Sequence, residues 1–294
     1  MIYLLLSILF TTFLVVILRL YEKWNIPTQY GITFNYLFCV ITGFIAMPDK
    51  SILQQVPTWN GWLWCLLLGI GFILIFLLIG KSTSLLGVAT TGVAFKLSFI
   101  IPAIIAILFY GDVITLYKII GILLAITAVV LIAYPSKSKQ ANDNEKIIDK
   151  PKGAMLLPFL IFIGSGFTDA SFNFIQRNYT PPNFEHIVTI MVFAGAFVGG
   201  ILLYGRQRAL YQKKNVIAGI VLGIPNYFSL YFLMQALKSS GFPPSTLFPI
   251  NNLGVVGLSA FIGFVIFKES ITIQKAIGIA LAIASIVFIG FLDK

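Results

Sequence analysis

Residues 110–134 read YGDVITLYKIIGILLAITAVVLIAY, and residues 267–291 read FKESITIQKAIGIALAIASIVFIGF. Set 157 positions apart, the two stretches share Ile114, Thr115, Lys118, Ile120, Gly121, Ile122, Leu124, Ala125, Ile126, Val130 and Ile132, which is 11 identities over 25 positions. An acid is kept in type, Asp112 against Glu269. Apolar helices share composition easily, so part of this match is cheap. An acid, a threonine, a lysine and a glycine in one register are less so.

Both copies have the length and apolarity of a membrane crossing, and the rest of the chain agrees. Of 294 residues, 59% are hydrophobic and only 10% charged, with a mean hydropathy of +0.96. A water-soluble domain of this size cannot hide that much apolar surface, whereas a bilayer accepts it. The opening MIYLLLSILF has no basic stretch before its apolar run and no small-residue cleavage site after it, so the first helix is expected to be retained.

A helix crossing a ~30 Å hydrocarbon core needs about 20 largely apolar residues. Ten stretches qualify: 2–20, 29–47, 61–80, 85–109, 115–134, 153–176, 186–204, 216–237, 242–267 and 271–292. None alternates as the strands of a membrane barrel do. Residues 135–152 (PSKSKQANDNEKIIDKPK) are polar and charged, a linker between a first five-helix repeat over 1–134 and a second over 153–294. Two copies with five crossings each must run in opposite senses. The expected fold is therefore an all-α integral membrane protein, ten transmembrane helices as two inverted five-helix repeats.

Lys and Arg are unevenly shared between the two sets of connections. Those after odd-numbered spans carry 14, and those after even-numbered spans, with the C-terminus, carry 5. The positive-inside rule then places the linker in the cytoplasm and both termini outside. The net charge of +10 resides in these connections, where it meets anionic lipid headgroups, and points to no nucleic-acid partner. Cys39 and Cys65 sit in apolar runs and imply neither a disulfide framework nor a metal site. No P-loop, paired-histidine metal motif or G-x-S-x-G elbow occurs, so neither an enzyme nor a cofactor is expected.

An ionised side chain near the bilayer midplane is costly and needs a partner or a wet cavity. Lys96 (TTGVAFKLSF) and Asp169 (GSGFTDASFNF) are the two charges that fall well inside spans. Ser165, Asp169, Asn173 and Gln176 follow one another at helical spacing and make one polar stripe. Lys96 either faces a cavity, binding an anionic group of a substrate or exchanging between substrate and Asp169, or ties two helices together with Asp169. Asn226 and Tyr227 follow Pro225, and Asn251 and Asn252 follow Pro249, adding neutral polar groups at interrupted helices. The repeat register sets Phe95 against Asn252 and Lys96 against Leu253. Asn35 and Tyr36 read as packing, His186 as an interfacial residue sooner than a proton relay, and Trp59, Trp62 and Trp64 as part of an aromatic belt.

Five helices plus five, with acid-x-x-Thr at each fourth-to-fifth junction, resembles the drug/metabolite transporter superfamily, and within it the bacterial EamA-type proteins. The junctions here are Gly111-Asp112-Val113-Ile114-Thr115 and Lys268-Glu269-Ser270-Ile271-Thr272, against a typical G-E-x-x-T. The resemblance implies a multi-pass protein of the bacterial inner membrane, a monomer or homodimer in contact with membrane lipids. It also implies secondary transport, with export the expected direction. Asp112, Thr115, Glu269 and Thr272 then become architecture, the threonines capping the helices that follow. A small polar metabolite bearing an anionic group, amino acid-like or otherwise, is the expected substrate, with protons or exchanged substrate as the coupled partner. Lys96, Asp169, Asn173, Asn226, Tyr227, Asn251 and Asn252 are the expected substrate-binding set. A membrane scaffold or an intramembrane enzyme acting on a lipid-linked substrate is the alternative; a passive channel would need rings of like charge.

Overall fold

A computed structural model describes residues 1–86, 88–133, 156–265 and 273–289, and these form helices and short connections, with no strand. The helices are α1 (Ile2–Lys23), α2 (Thr28–Ala46), α3 (Trp62–Leu86), α4 (Val88–Leu97), α5 (Ile100–Tyr110), α6 (Leu116–Ala133), α7 (Leu156–Asn178), α8 (Glu185–Tyr204), α9 (Lys213–Ser239), α10 (Pro244–Val265) and α11 (Ile273–Val287). Two 3-10 turns, Lys50–Thr58 and Arg208–Tyr211, sit in the connections. The linker 135–152, Glu269 and Thr272 lie outside the described residues.

Among the described residues, seven helices are long and apolar enough to cross a membrane: α1, α2, α3, α7, α8, α9 and α10. Three shorter apolar stretches, Ala94–Tyr110, Leu116–Leu131 and Ala276–Val287, accompany them. Large apolar side chains point outward along these helices; Ile45, Phe109 and Leu202 are each more than three-quarters exposed. In water such a surface would drive aggregation. Against acyl chains it is the proper solvent contact, and the chain is an all-α membrane protein by this criterion.

The span expected over 85–109 is not one helix. α4 ends at Leu97, α5 begins at Ile100, and Ser98 and Phe99 form a turn. Pro102 is the cause: it has no N–H for the Ser98 carbonyl, and its ring crowds that oxygen. The carbonyl instead takes the Ile101 N–H at 3.0 Å, three residues on rather than four. Lys96 is thereby moved from the middle of a long helix to the last turn of a short one, where the helix dipole favours a cation by about 0.3–1 kcal/mol.

The chain divides into two compact units, and each draws on both halves of the sequence. The first comprises Met1–Leu74 and Thr168–Leu247. Here α9 lies against α1 and α2. Tyr21 donates its hydroxyl to the Ala218 carbonyl at 2.6 Å, and Ser7 bonds the Ser229 carbonyl at 3.1 Å. α2 also packs on α8, where Tyr36 stacks on Phe193 with centroids 6.0 Å apart. Trp59 is buried and donates its indole N–H to the Tyr179 carbonyl, so it ties two connections together. Trp62 and Trp64 are exposed. Asp49 opens the first 3-10 turn by accepting the Ser51 N–H at 2.9 Å, and the Ser51 side chain, with this bond, holds its carboxyl below the usual carboxylate range.

The second unit comprises Ile75–Phe167 and Phe248–Lys294. α6 and α11 form its tightest pair: Ser285 bonds the Gly121 carbonyl at 2.6 Å, and a Cβ at Gly121 would strike the Ile289 side chain. α5 ends on Gly111, whose φ of +70° is the left-handed conformation that glycine adopts without strain. Four residues on, Thr115 accepts the Lys118 N–H at 3.1 Å, the geometry of a helix N-cap. Lys118 is itself buried, its ammonium satisfied by the Val113 carbonyl at 2.7 Å. The sequence reading counted this lysine among the five of the connections after even-numbered spans.

Candidate functional site

The polar groups of the first unit gather where α9 crosses α2 and meets the start of α8. Glycine makes the α2–α9 crossing close. A Cβ at Gly219 would fall on Phe34 and the Asn35 nitrogen, and one at Gly223 on Phe38 and the Asn35 carbonyl. Small residues at a helix crossing let backbones approach, and this is what holds helices together in lipid. At this distance short polar side chains reach across. The Asn226 amide donates to the Asn35 carboxamide oxygen at 3.1 Å, and the Cys39 thiol lies 3.3 Å from the Gly223 carbonyl. Asn35 is buried and Asn226 half-buried. Each link is worth about 1 kcal/mol in a membrane interior. A double-mutant cycle on Asn35→Ala and Asn226→Ala should return a coupling of about 1 kcal/mol in thermal unfolding; additive effects would remove the bond from the account.

At the start of α8 the arrangement is ionic and aromatic. Glu185 is buried and paired with the ammonium of Lys238 from the last turn of α9. The carboxylate sits at a helix N-terminus and the ammonium at a helix C-terminus, so both dipoles favour the pair. Next to it His186 stacks on Tyr231 with centroids 4.4 Å apart, and its Nδ1 lies 2.6 Å from the Tyr227 hydroxyl. Gln235 donates to the Tyr231 hydroxyl at 3.0 Å. A carboxylate, an ammonium, an imidazole, two phenols and a carboxamide thus follow one another within about three turns of α9 and the first turn of α8. Such a set can hold and pass a proton, or present charge to a polar ligand.

The sequence-predicted residues divide between the units. Asp169 and Asn173 on α7, and Asn226 and Tyr227 on α9, belong to the first. Asn226 and Tyr227 are brought into the cluster just described. Asp169 is half-buried and Asn173 buried, and the Asn173 carboxamide oxygen has no partner among the described residues. Lys96 on α4, and Asn251 and Asn252 on α10, belong to the second unit. Lys96 stands over the Phe95 ring at 5.1 Å from its centroid. Asn252 turns back on its own helix, donating to the Phe248 carbonyl at 3.1 Å, and the buried Asn251 oxygen is unpartnered among the described residues.

Glu185 and His186, at the start of α8, lie outside the predicted set. Glu185 is more deeply buried than Lys96 or Asp169. His186 is half-buried and packs against two tyrosines of α9. A signal was present: α8 and α9 form a hairpin closed by residues 205–212, which sets position 185 opposite the early 230s. A Glu-His pair facing Tyr231, Gln235 and Lys238 could have been read from that register.

Two surface hollows lie elsewhere in the first unit. One, of about 530 Å³, is apolar and lined by Phe44, Val56, Trp62, Ile187 and Ile190 among others. The second, of about 580 Å³, lies over Trp59, Asn60, Asn178 and Tyr179. Neither is lined by any residue of the predicted binding set.

Comparison with known proteins places the fold in company. No family model matches the chain. An uncharacterized protein of Haemophilus influenzae is 27% identical over 287 residues, a match that covers 95% of this chain and 94% of the relative. A protein of known crystal structure superposes with a TM-score of 0.76 at 15% identity, over 99% of this chain and 96% of the other. The fold therefore recurs in a solved structure across nearly its whole length.

Proposed function

We propose that the chain is a secondary-active carrier of a small polar metabolite, amino acid-like or otherwise bearing an anionic group, which exports or exchanges it by alternating access. In this reading it is a drug/metabolite transporter of EamA type in a bacterial inner membrane, built from two inverted five-helix repeats. The observation that carries the reading is a pair of helix crossings related by the same 157-residue displacement. Gly223 of α9 meets Phe38 of α2; displaced, these positions are Leu66 of α3 and Gly195 of α8, and a Cβ at Gly195 would strike the Leu66 backbone. Asn226 bonds Asn35; displaced, these are Gly69 and Val192, and a Cβ at Gly69 would strike the Val192 carbonyl.

The displacement also carries α2 onto α8 and α6 onto α11, and each of these pairs packs together. Seven long and three shorter apolar stretches accommodate ten crossings. A carrier needs two near-equivalent halves so that inward-open and outward-open states lie close in energy. The backbone crossings repeat, but their polar side chains do not. The Asn35–Asn226 bond faces only Val192 and Gly69 in the other copy, so its polarity is not a requirement of the packing.

Inversion is testable at two exposed positions 157 apart. Asp49→Cys should react with a membrane-impermeant maleimide from outside, and Arg206→Cys only after permeabilisation; labelling of both from one side would overturn the inverted repeat. Function is testable at the cations and acids within the spans. Once a substrate has been found by ligand-induced thermal stabilisation, Lys96→Met and Asp169→Asn should each slow its exchange by tenfold or more, about 1.4 kcal/mol. Unaltered exchange in both would exclude them from the site.

A further inference from the structure

His186 is the single histidine of the chain, and its surroundings give its proton a consequence. The Tyr227 side chain is fully buried, and the His186 Nδ1, at 2.6 Å, is the one hydrogen-bond partner its hydroxyl has among the described residues. A neutral imidazole has one donor and one acceptor nitrogen. If Nδ1 carried the proton, it would donate to the phenol oxygen and leave the Tyr227 O–H without an acceptor, at a cost of about 1–3 kcal/mol. The neutral ring is therefore the Nε2–H form, with Tyr227 donating to Nδ1. One further proton can enter only at Nδ1, at the centre of that bond.

We propose that His186 and Tyr227 form the proton-binding site of this protein, in which protonation of Nδ1 reverses their hydrogen bond. The proton comes from water and stays on Nδ1; Nδ1–H then donates to the Tyr227 oxygen. Tyr227 keeps its own proton, and its O–H loses its one acceptor among the described residues, so the phenol must shift to find another. The charged and titratable groups around the pair suit this. Glu185 adjoins His186 on α8, its charge answered by Lys238 of α9. Tyr231 of α9 stacks on the imidazole, Cys39 of α2 lies near Tyr227, and Tyr3 of α1 lies near Tyr231. The imidazolium thus gains a carboxylate neighbour and meets no uncompensated cation. Tyr227 also packs on α2, where a Cβ at Gly43 would lie 2.7 Å from its ring, so a turn of the phenol bears on the α2–α8–α9 contact. The proton site stands without the carrier reading; its role as the coupled ion rests on that reading.

Because the chain has one histidine, the full-length protein labelled with 15N-histidine gives one imidazole to follow by NMR, with the proton as the only ligand and no substrate needed. The expected result is the Nε2–H tautomer at high pH, converting to the imidazolium as the pH is lowered from about 8 to about 4. Tyr227→Phe should abolish the tautomer preference and move the midpoint. An Nδ1–H tautomer at high pH, a ring that does not titrate over that range, or a titration unchanged in Tyr227→Phe would each overturn the proposal. If Tyr227→Phe does not fold, hydrogen exchange along Cys39–Ala46 decides. The protection factors there should fall at low pH in the wild type, and His186→Gln should remove that fall; protection independent of pH in the wild type overturns the switch.

Discussion

Gly195→Leu yields no folded protein. The added Cβ alone would overlap the Leu66 carbonyl and the backbone on either side of it, and Gly69 makes the reciprocal contact against Val192 and Ala196. Overpacking a core costs about 1–3 kcal/mol when side chains can turn aside, and more when they cannot. Backbone atoms cannot turn aside without separating α3 from α8, which would strip dispersion contacts along the whole crossing. The check is thermal unfolding in detergent with size-exclusion recovery, where the variant should be lost to aggregate. Gly257→Ala is the control. A Cβ there meets nothing within 4 Å among the described residues, so the change should stay within about 1 kcal/mol, on the stabilising side expected for alanine over glycine in a helix. A Gly195→Leu protein as stable as this control would remove the close α3–α8 approach.

Lys238→Met should cost about 2–3 kcal/mol. Removing one partner of a fully buried ion pair typically costs about 3–5 kcal/mol, because a buried charge is left unanswered. The lower figure applies because the side chains are 45% exposed for Lys238 and 6% for Glu185, so water already screens the ammonium. The penalty belongs to the stranded carboxylate. Lys238→Met combined with Glu185→Gln should therefore recover most of the loss, and Lys238→Arg should lose little. Thermal unfolding of the four proteins settles it; a double variant no better than Lys238→Met would mean that the lysine acts through packing of its stem.

The apolar spans were legible because membrane crossing writes itself into length and composition, and the seven long helices answer to that signal. The break between α4 and α5 was not read, although Pro102 was in view. Its effect lies four residues upstream, at Ser98, where the hydropathy of the run does not change. Lys96 was singled out by its charge, but its place in the last turn of α4 depends on that break. Glu185 was passed over and His186 read as interfacial because they stand at a helix start, where polar residues are ordinary. What buries them is the antiparallel return of α9, a tertiary fact. Asn226 was picked out for following Pro225, yet its partner Asn35 was assigned to packing. The glycines that bring the two asparagines within reach, Gly219 and Gly223, are far from Asn35 in sequence.

Carrier action is tested most directly by counterflow in proteoliposomes, using the metabolite that stabilises the purified protein. Vesicles preloaded with that compound unlabelled should take up the labelled form faster than empty vesicles and pass through a transient maximum, because a reorienting site returns occupied. Uptake that is the same with and without preloading would contradict a carrier.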